Sequence, residues 1–224
     1  GCDKTGPGLI MGAVSMDLPV IFCPAGPMLN GRWRGTKVGA GTHTRKYWDE
    51  YRAGHIGERD MVEIEGVSTR SPGTCNTMGT ASTMTSIIDA LGLTLPGASS
   101  IPAMDAAHPR MASACGERIV DMVWEDLKPS RILSQGSLRN ALHVDVALGG
   151  STNAAVHLVA MARRAGLAID LDDLDAAARR TPVLANIFPA GDALMEDFYF
   201  AGGVLGLMTR LTDRLDLDAL NVTG

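Results

Sequence analysis

The chain has 224 residues, of which 46% are hydrophobic, 20% charged and only 4% aromatic, with 26 glycines, 12 methionines and a formal net charge of −5. That length buries a real core, and the composition excludes a disordered chain. The few aromatics and many glycines argue for a loop-rich α/β fold over a β-sandwich. The negative charge gives no electrostatic reason to expect nucleic acid or an anionic membrane as partner.

In chain order, "TGPGLIMGAVSMD" predicts a helix with Pro7 in its first turn, where a missing N–H costs little. "LPVIFCPAGPM" (18–28) predicts a short buried strand ending in a Gly/Pro turn. "TRKYWDEYRAG" reads as a polar helix closed by Gly54, and "ERDMVEIEGVSTR" as an acidic one. "SPGTCNTMGTASTMTSIIDALGLTLPG" reads as a loop of small and hydroxylic residues turning into a buried helix, with Cys75 just before its N-terminus. The next helix should bury Ile119, Met122, Val123 and Leu127 on one face. Two helices then meet at Gly149-Gly150. Ser151, Thr152 and Asn153 offer caps for the second, which reads as apolar nearly all round and central. "DLDDLDAAARR" predicts a surface helix and "FAGGVLGLMTRL" a buried one. No apolar run reaches the length needed to span a bilayer. No signal peptide precedes the fold, so a cytoplasmic, reducing setting is expected for the four widely spaced cysteines. A start without Met and an end on the apolar "LDLDALNVTG" predict an excerpt of a longer protein.

Several residues could carry chemistry. Cys75 ahead of a helix could be a thiolate ligand or nucleophile, or simply a buried small hydrophobe. Cys2, Asp3 and Lys4 stand side by side; a thiolate suits soft metals and iron–sulfur clusters, a carboxylate suits Mg²⁺. Lys4 could join a cation only as a carbamate, formed with CO₂. The plainer alternative is a helix cap, a solvated charge and a packed thiol. Glycines before Ser151, Thr152 and Asn153 could receive a carboxylate, or only cap a helix. His157 reads as a core histidine, and Cys23 and Cys115 as packing residues. Neither GxGxxG, the phosphate loop GxxxxGK[ST], nor the GxSxG elbow occurs.

Taken together, "GCDKTGPG", "PVIF", "GPM", "GTCNTMGTASTM", "LGLTLPG", "LGGSTN" and "FYFAGG" resemble, in order, the dihydroxy-acid/phosphogluconate dehydratase family over essentially the whole chain. The resemblance implies a layered α/β domain with a parallel-type sheet flanked by helices, without the family's C-terminal β-barrel domain. It implies Cys2 and Cys75 as cluster ligands, and Asp3 and Lys4, the latter as its carbamate, as Mg²⁺ ligands. A further cluster Cys and an acidic Mg²⁺ ligand would lie before Gly1. A Ser base and another acidic ligand would lie beyond Gly224, so no catalytic base is assigned within the 224 residues, and the excerpt alone is expected to show no turnover. "GTCNTMGTAST" after "RKYWDEYRAG" looks like the sugar-acid branch, acting on pentonates such as L-arabinonate or D-xylonate with a [2Fe–2S] cluster and Mg²⁺. The implied reaction is dehydration to a 2-keto-3-deoxy acid by a homodimer or homotetramer. Dihydroxy-acid or phosphogluconate dehydration, and an inactive metal-binding relative, are the alternatives. Ser151, Thr152 and Asn153 would lie on the substrate side.

Overall fold

A computed structural model describes residues 3–224. Cys2 therefore lies outside the described residues. Eleven α-helices account for most of the regular structure among them. Helix α1 (Thr5–Met16) forms where predicted and stops at Asp17, whose φ of 47° breaks the helical run. A hairpin follows, β1 (Gly31–Trp33) and β2 (Thr36–Val38), antiparallel with Gly31 opposite Val38 and Trp33 opposite Thr36. Its two turn residues, Arg34 and Gly35, both have positive φ, as a two-residue hairpin turn requires. Helices α2 (Thr42–Arg52) and α3 (Glu58–Ser68) pack against the hairpin and each other around Val38, Tyr47 and Ile64. Gly54 follows α2 with φ +77°, and the Asp60 carboxylate accepts the Gly57 N–H at 3.0 Å at the start of α3.

The remaining helices are α4 (Thr80–Ala90), α5 (Ala107–Trp124), the short α6 (Pro129–Ile132), α7 (Gln135–Leu148), α8 (Thr152–Arg164), α9 (Leu171–Arg180), α10 (Met195–Phe200) and α11 (Gly203–Met208). Side chains mark several starts. The Ser134 hydroxyl accepts the Ser137 N–H ahead of α7, and Ser137 returns the bond to the Ser134 N–H. Asp170 does the same for α9 with Asp172 and Asp173. Helix α4 packs most extensively on α7, and α1 and α8 lie beside them. Ile87, Ile88, Leu91, Val144, Leu148, Leu158 and Met161 fill this main core, each contributing on the order of 1.5–3 kcal/mol by burial.

Three expectations change. Residues 18–28 form no strand. Pro19, Pro24 and Pro27 remove the donors a ladder needs. What remains is a single parallel bridge, Pro27 with Thr74, plus the Phe22 N–H donating to Leu93 O at 2.7 Å. The α/β class stands, with helices dominating. Among the described residues the expected parallel sheet is reduced to isolated bridges, at Pro27–Thr74 and Ile187–Ala193. Second, α8 is not apolar all round: Ala154, Leu158, Met161 and Ala162 face the core, while Val156 is 67% exposed. The α4–α7 pair lies at the centre instead, both helices being buried over most of their length. Third, Val123 on α5 is exposed although Met122 and Leu127 are buried, and "FAGGVLGLMTRL" is split, with Phe200 exposed at the end of α10 and Val204, Leu207 and Leu211 buried. No helix among the described residues is long and apolar enough to cross a membrane.

Candidate active site

The loop before α4 is fastened at both ends. Thr74 exchanges backbone hydrogen bonds with residues 26 and 28: its N–H reaches Gly26 O at 2.8 Å, and its carbonyl accepts the Met28 N–H at 2.9 Å. Gly73 makes this approach possible. Its φ is +133°, and a Cβ there would lie 2.6 Å from Met28 N. Cys75 follows and is exposed. It stands in the loop, four residues before the Gly79 cap rather than directly at the helix start. Asn76 is wholly buried. Its Oδ1 accepts the Ala40 N–H at 2.9 Å, its Nδ2 donates to Leu29 O at 3.1 Å, and its carbonyl accepts the Met195 N–H at 2.9 Å. The Ser82 hydroxyl, in the first turn of α4, reaches back to the carbonyls of Cys75 and Thr77 at 3.2 and 3.0 Å. Cys75 is thus exposed on a loop whose backbone is held from several directions.

The start of α8 meets the start of α4. Thr80 Oγ1 and Ser151 Oγ are 2.8 Å apart, Asn153 Nδ2 donates to Thr80 Oγ1 at 3.1 Å, and the Ser151 N–H donates to Thr83 Oγ1 at 3.1 Å. Ser151 also caps α8 by accepting the Asn153 N–H at 3.3 Å. Thr152 heads the helix, exposed. The "GGSTN" turn therefore does cap a helix, and it also joins the helix that follows the Cys75 loop. Beneath it, Asp145 is buried; burial alone pushes its carboxyl up to about 7, and its Oδ1 has no hydrogen-bond partner.

Asp3 and Lys4 precede α1, which packs on both α4 and α8. Lys4 Nζ is 2.9 Å from Asp3 Oδ2, and the lysine side chain is 80% exposed. The Lys4 hydrogen bond is the main reason the Asp3 carboxyl lies below the ordinary range; the field of His157, on α8, adds a smaller effect. His157 is partly buried, as a core histidine would be, yet its buried Nε2 has no partner. Among the described residues no three His, Cys, Asp or Glu side chains converge into a metal-binding group.

Of the other cysteines, Cys115 is buried as expected, its thiol pushed up to about 11 by burial and then by neighbouring Cys23. Cys23 is exposed rather than packed in a strand, its Sγ 3.9 Å from Met111 Sδ. Sequence reasoning missed the segment 39–43, "GAGTH", a turn leading into α2 at Thr42, which Asn76 binds through Ala40. Two glycines followed by a histidine at the start of a polar helix were the available signal.

A family profile described as Dihydroxy-acid/6-phosphogluconate dehydratase N-terminal matches residues 1–224. The chain is 63% identical over 224 residues to the 6-deoxy-6-sulfo-D-gluconate dehydratase of Pseudomonas putida, covering all of this chain and 39% of that protein. It is 48% identical to the L-arabinonate dehydratase of Rhizobium leguminosarum bv. trifolii, covering all of this chain and 39% of that protein. It is 42% identical to a dihydroxy-acid dehydratase of Caldicellulosiruptor bescii, covering all of this chain and 41% of that protein. The chain thus spans about two-fifths of the length of these curated relatives, and it belongs to the dihydroxy-acid/6-phosphogluconate dehydratase family, as the N-terminal domain.

Proposed function

We propose that the protein to which this chain belongs is a hydro-lyase that removes water from a 2,3-dihydroxy sugar acid, leaving a 2-keto-3-deoxy acid. The observation that carries this reading is the exposed Cys75 on its fastened loop, with the following helix, α4, packed against α1 behind the Asp3–Lys4 pair.

The residues fit the two groups the reaction needs. A thiolate from Cys75, and from Cys2, suits the iron of a [2Fe–2S] cluster. The Asp3 carboxylate suits Mg²⁺, which prefers oxygen ligands. As an ammonium, Lys4 would repel that ion; its exposure leaves it open to CO₂, and the carbamate would add an anionic oxygen beside Asp3. When bound, the Mg²⁺ would polarise the substrate carboxylate and 2-hydroxyl, and a cluster iron left open would ease departure of the 3-hydroxyl. The chain's own part is to supply donors of both kinds and to orient the acid. The backbone around Cys75 is fixed by Gly26, Met28 and Ser82. Ser151, Thr152 and Asn153, at the joint of α4 and α8, lie on the substrate side of this reading. The proton on C2 leaves to a base, by family resemblance a Ser beyond Gly224. The hydroxyl leaves C3, and the enol formed tautomerises to the keto acid.

A sugar acid is favoured over a branched-chain dihydroxy acid because "GTCNTMG" has no second Cys after Cys75. Pentonates such as L-arabinonate and D-xylonate are the first candidates. The name of the Pseudomonas putida relative adds a sulfonated hexonate to the panel. The test is the visible spectrum of the anaerobically purified full-length parent beside its Cys75→Ser variant. Sulfide-to-iron bands in the parent and their loss in the variant are expected, with dehydration of at least one sugar acid by the parent. A colourless parent, or an unchanged spectrum in the variant, would sink the assignment.

A further inference from the structure

Three sulfurs from two separate segments converge where the loop over residues 18–28 meets α5. The Cys23 thiol donates to Met111 Sδ at 3.9 Å, and the Cys115 thiol donates to the same Sδ at 3.6 Å. The two thiols also act on each other. Burial, then the field of Cys23 and a hydrogen bond with it, hold the proton on Cys115. Met111 and Cys115 stand one helical turn apart on α5 and are both buried. Cys23 is exposed. Hydrogen bonds fix its backbone on both sides: the Phe22 N–H donates to Leu93 O at 2.7 Å, and Pro24 O lies 3.0 Å from Nε2 of His108, on α5. Cys23 also lines a cavity of about 80 Å³ together with Thr5 and Thr74, the sequence neighbours of Lys4 and Cys75.

Such a pair divides the work of thiol oxidation. An exposed thiol meets an oxidant from solution, whereas a buried one reacts only with a group already beside it. We propose that Cys23 and Cys115 form a peroxide-responsive pair, in which hydrogen peroxide oxidises Cys23 and Cys115 then closes a reversible disulfide between the 18–28 loop and α5. In the first step the Cys23 sulfur, as thiolate, attacks one peroxide oxygen. The O–O bond breaks, hydroxide leaves with the electron pair and takes up the thiol's proton as water, and the sulfur is oxidised by two electrons to a sulfenic acid. In the second step the Cys115 sulfur attacks the Cys23 sulfur. The S–O bond breaks, and the hydroxide leaves with the Cys115 proton as a second water. The attack is intramolecular, so proximity offsets the scarcity of Cys115 thiolate. A thiolate of raised pKa is also the stronger nucleophile once formed. Met111, unbranched and adaptable, can yield the space beside the new bond. This inference stands apart from the dehydratase reading, since it rests on the three sulfurs alone.

The test uses full-length parent purified without oxygen and then treated with hydrogen peroxide. Catalase stops the reaction, iodoacetamide blocks the remaining thiols, and the protein is digested without reductant. Peptide mass spectrometry should find the Cys23 and Cys115 peptides joined, two hydrogens lighter than their sum, and separate again after dithiothreitol. Peroxide and dimedone are then added together to Cys115→Ser and Cys115→Ala. In both variants the dimedone adduct on Cys23 should reach several times the parent's level, because the sulfenic acid has no neighbouring thiol to consume it. Agreement between the two substitutions separates loss of the thiol from repacking at this buried position. A parent whose Cys23 resists peroxide would overturn the inference. So would a Cys23 that stops at the sulfenic or sulfinic acid without the linked peptide, or that joins Cys75 in preference to Cys115. A linked peptide that forms only once urea has unfolded the chain would overturn it as well. Every readout is on peptides, so the result does not depend on turnover, and failure of the dehydratase reading would leave it unchanged.

Discussion

Cys23 and Cys115 touch the same methionine but meet water differently. Their Sγ atoms lie 3.9 and 3.6 Å from Met111 Sδ. Cys23 is exposed, whereas Cys115 is buried and its thiol is raised to about 11, first by burial. Alkylation requires both access and thiolate. Iodoacetamide at pH 8 is therefore expected to label Cys23 and to spare Cys115 until the chain is unfolded, as peptide mass spectrometry would read. Labelling of both at equal rates in the native protein would show that α5 opens around Cys115. Gly73 is a second residue-scale test. Its φ of +133° and the 2.6 Å approach of any Cβ to Met28 N leave no room for a side chain. Gly73→Ala should cost about 2 kcal/mol or more, through strain at a forbidden backbone conformation and a displaced neighbour. Urea unfolding would measure this, and an unchanged midpoint would mean that the Thr74 pairing is looser than it stands here.

At the scale of elements, most helices were legible because their signals are local. Pro7 in a first turn, Ser134 and Asp170 at caps, and Gly54 after a last turn act within a few residues of themselves. The strand over 18–28 was misread because apolar runs suggest strands, while its three prolines withhold the donors that pairing needs. Helix α8 looked central because its alanines count as apolar whichever way they face; only packing shows that Ala154 and Ala162 are buried while Val156 faces water. The candidate site divides in the same way. A Cys in a run of small residues, and an Asp beside a Lys, can be read from a few letters. Asn76 could not, since its side chain binds backbone 36 and 47 residues away. The setting of His43 could not either: its ring lies on Phe188, which the fold brings to it from far along the chain. Residues whose partners are distant backbone groups carry no pattern of their own.

The molecule as a whole contains a pH dependence set by burial. Asp145, beneath the α8 start, is raised from an ordinary 3.8 to about 7 by burial alone. Asp89, which accepts from Ser99 and Gly97, is raised to about 6, again chiefly by burial. In both cases the folded chain keeps a proton that the unfolded chain gives up near 3.8. The stability this contributes is fully present below 3.8 and is lost as pH rises through the folded value. His43 and His143 act in the opposite sense, since burial lowers both below 6.5 and the folded chain resists taking up their protons as pH falls. Net stability therefore mixes the two signs, and a difference between variants separates them. Asp145→Asn keeps the shape of the protonated acid and removes its titration, and Asp145 accepts no side-chain hydrogen bond that an amide would forfeit. The variant should match the parent near pH 4, then become progressively more stable than the parent up to about pH 7, with a constant advantage above. Thermal melts at half-unit steps would trace that curve, with the histidine contributions cancelling between the two proteins. A difference independent of pH would mean that Asp145 is ionised in the fold with a partner, and that water or a cation reaches the joint between α7 and α8.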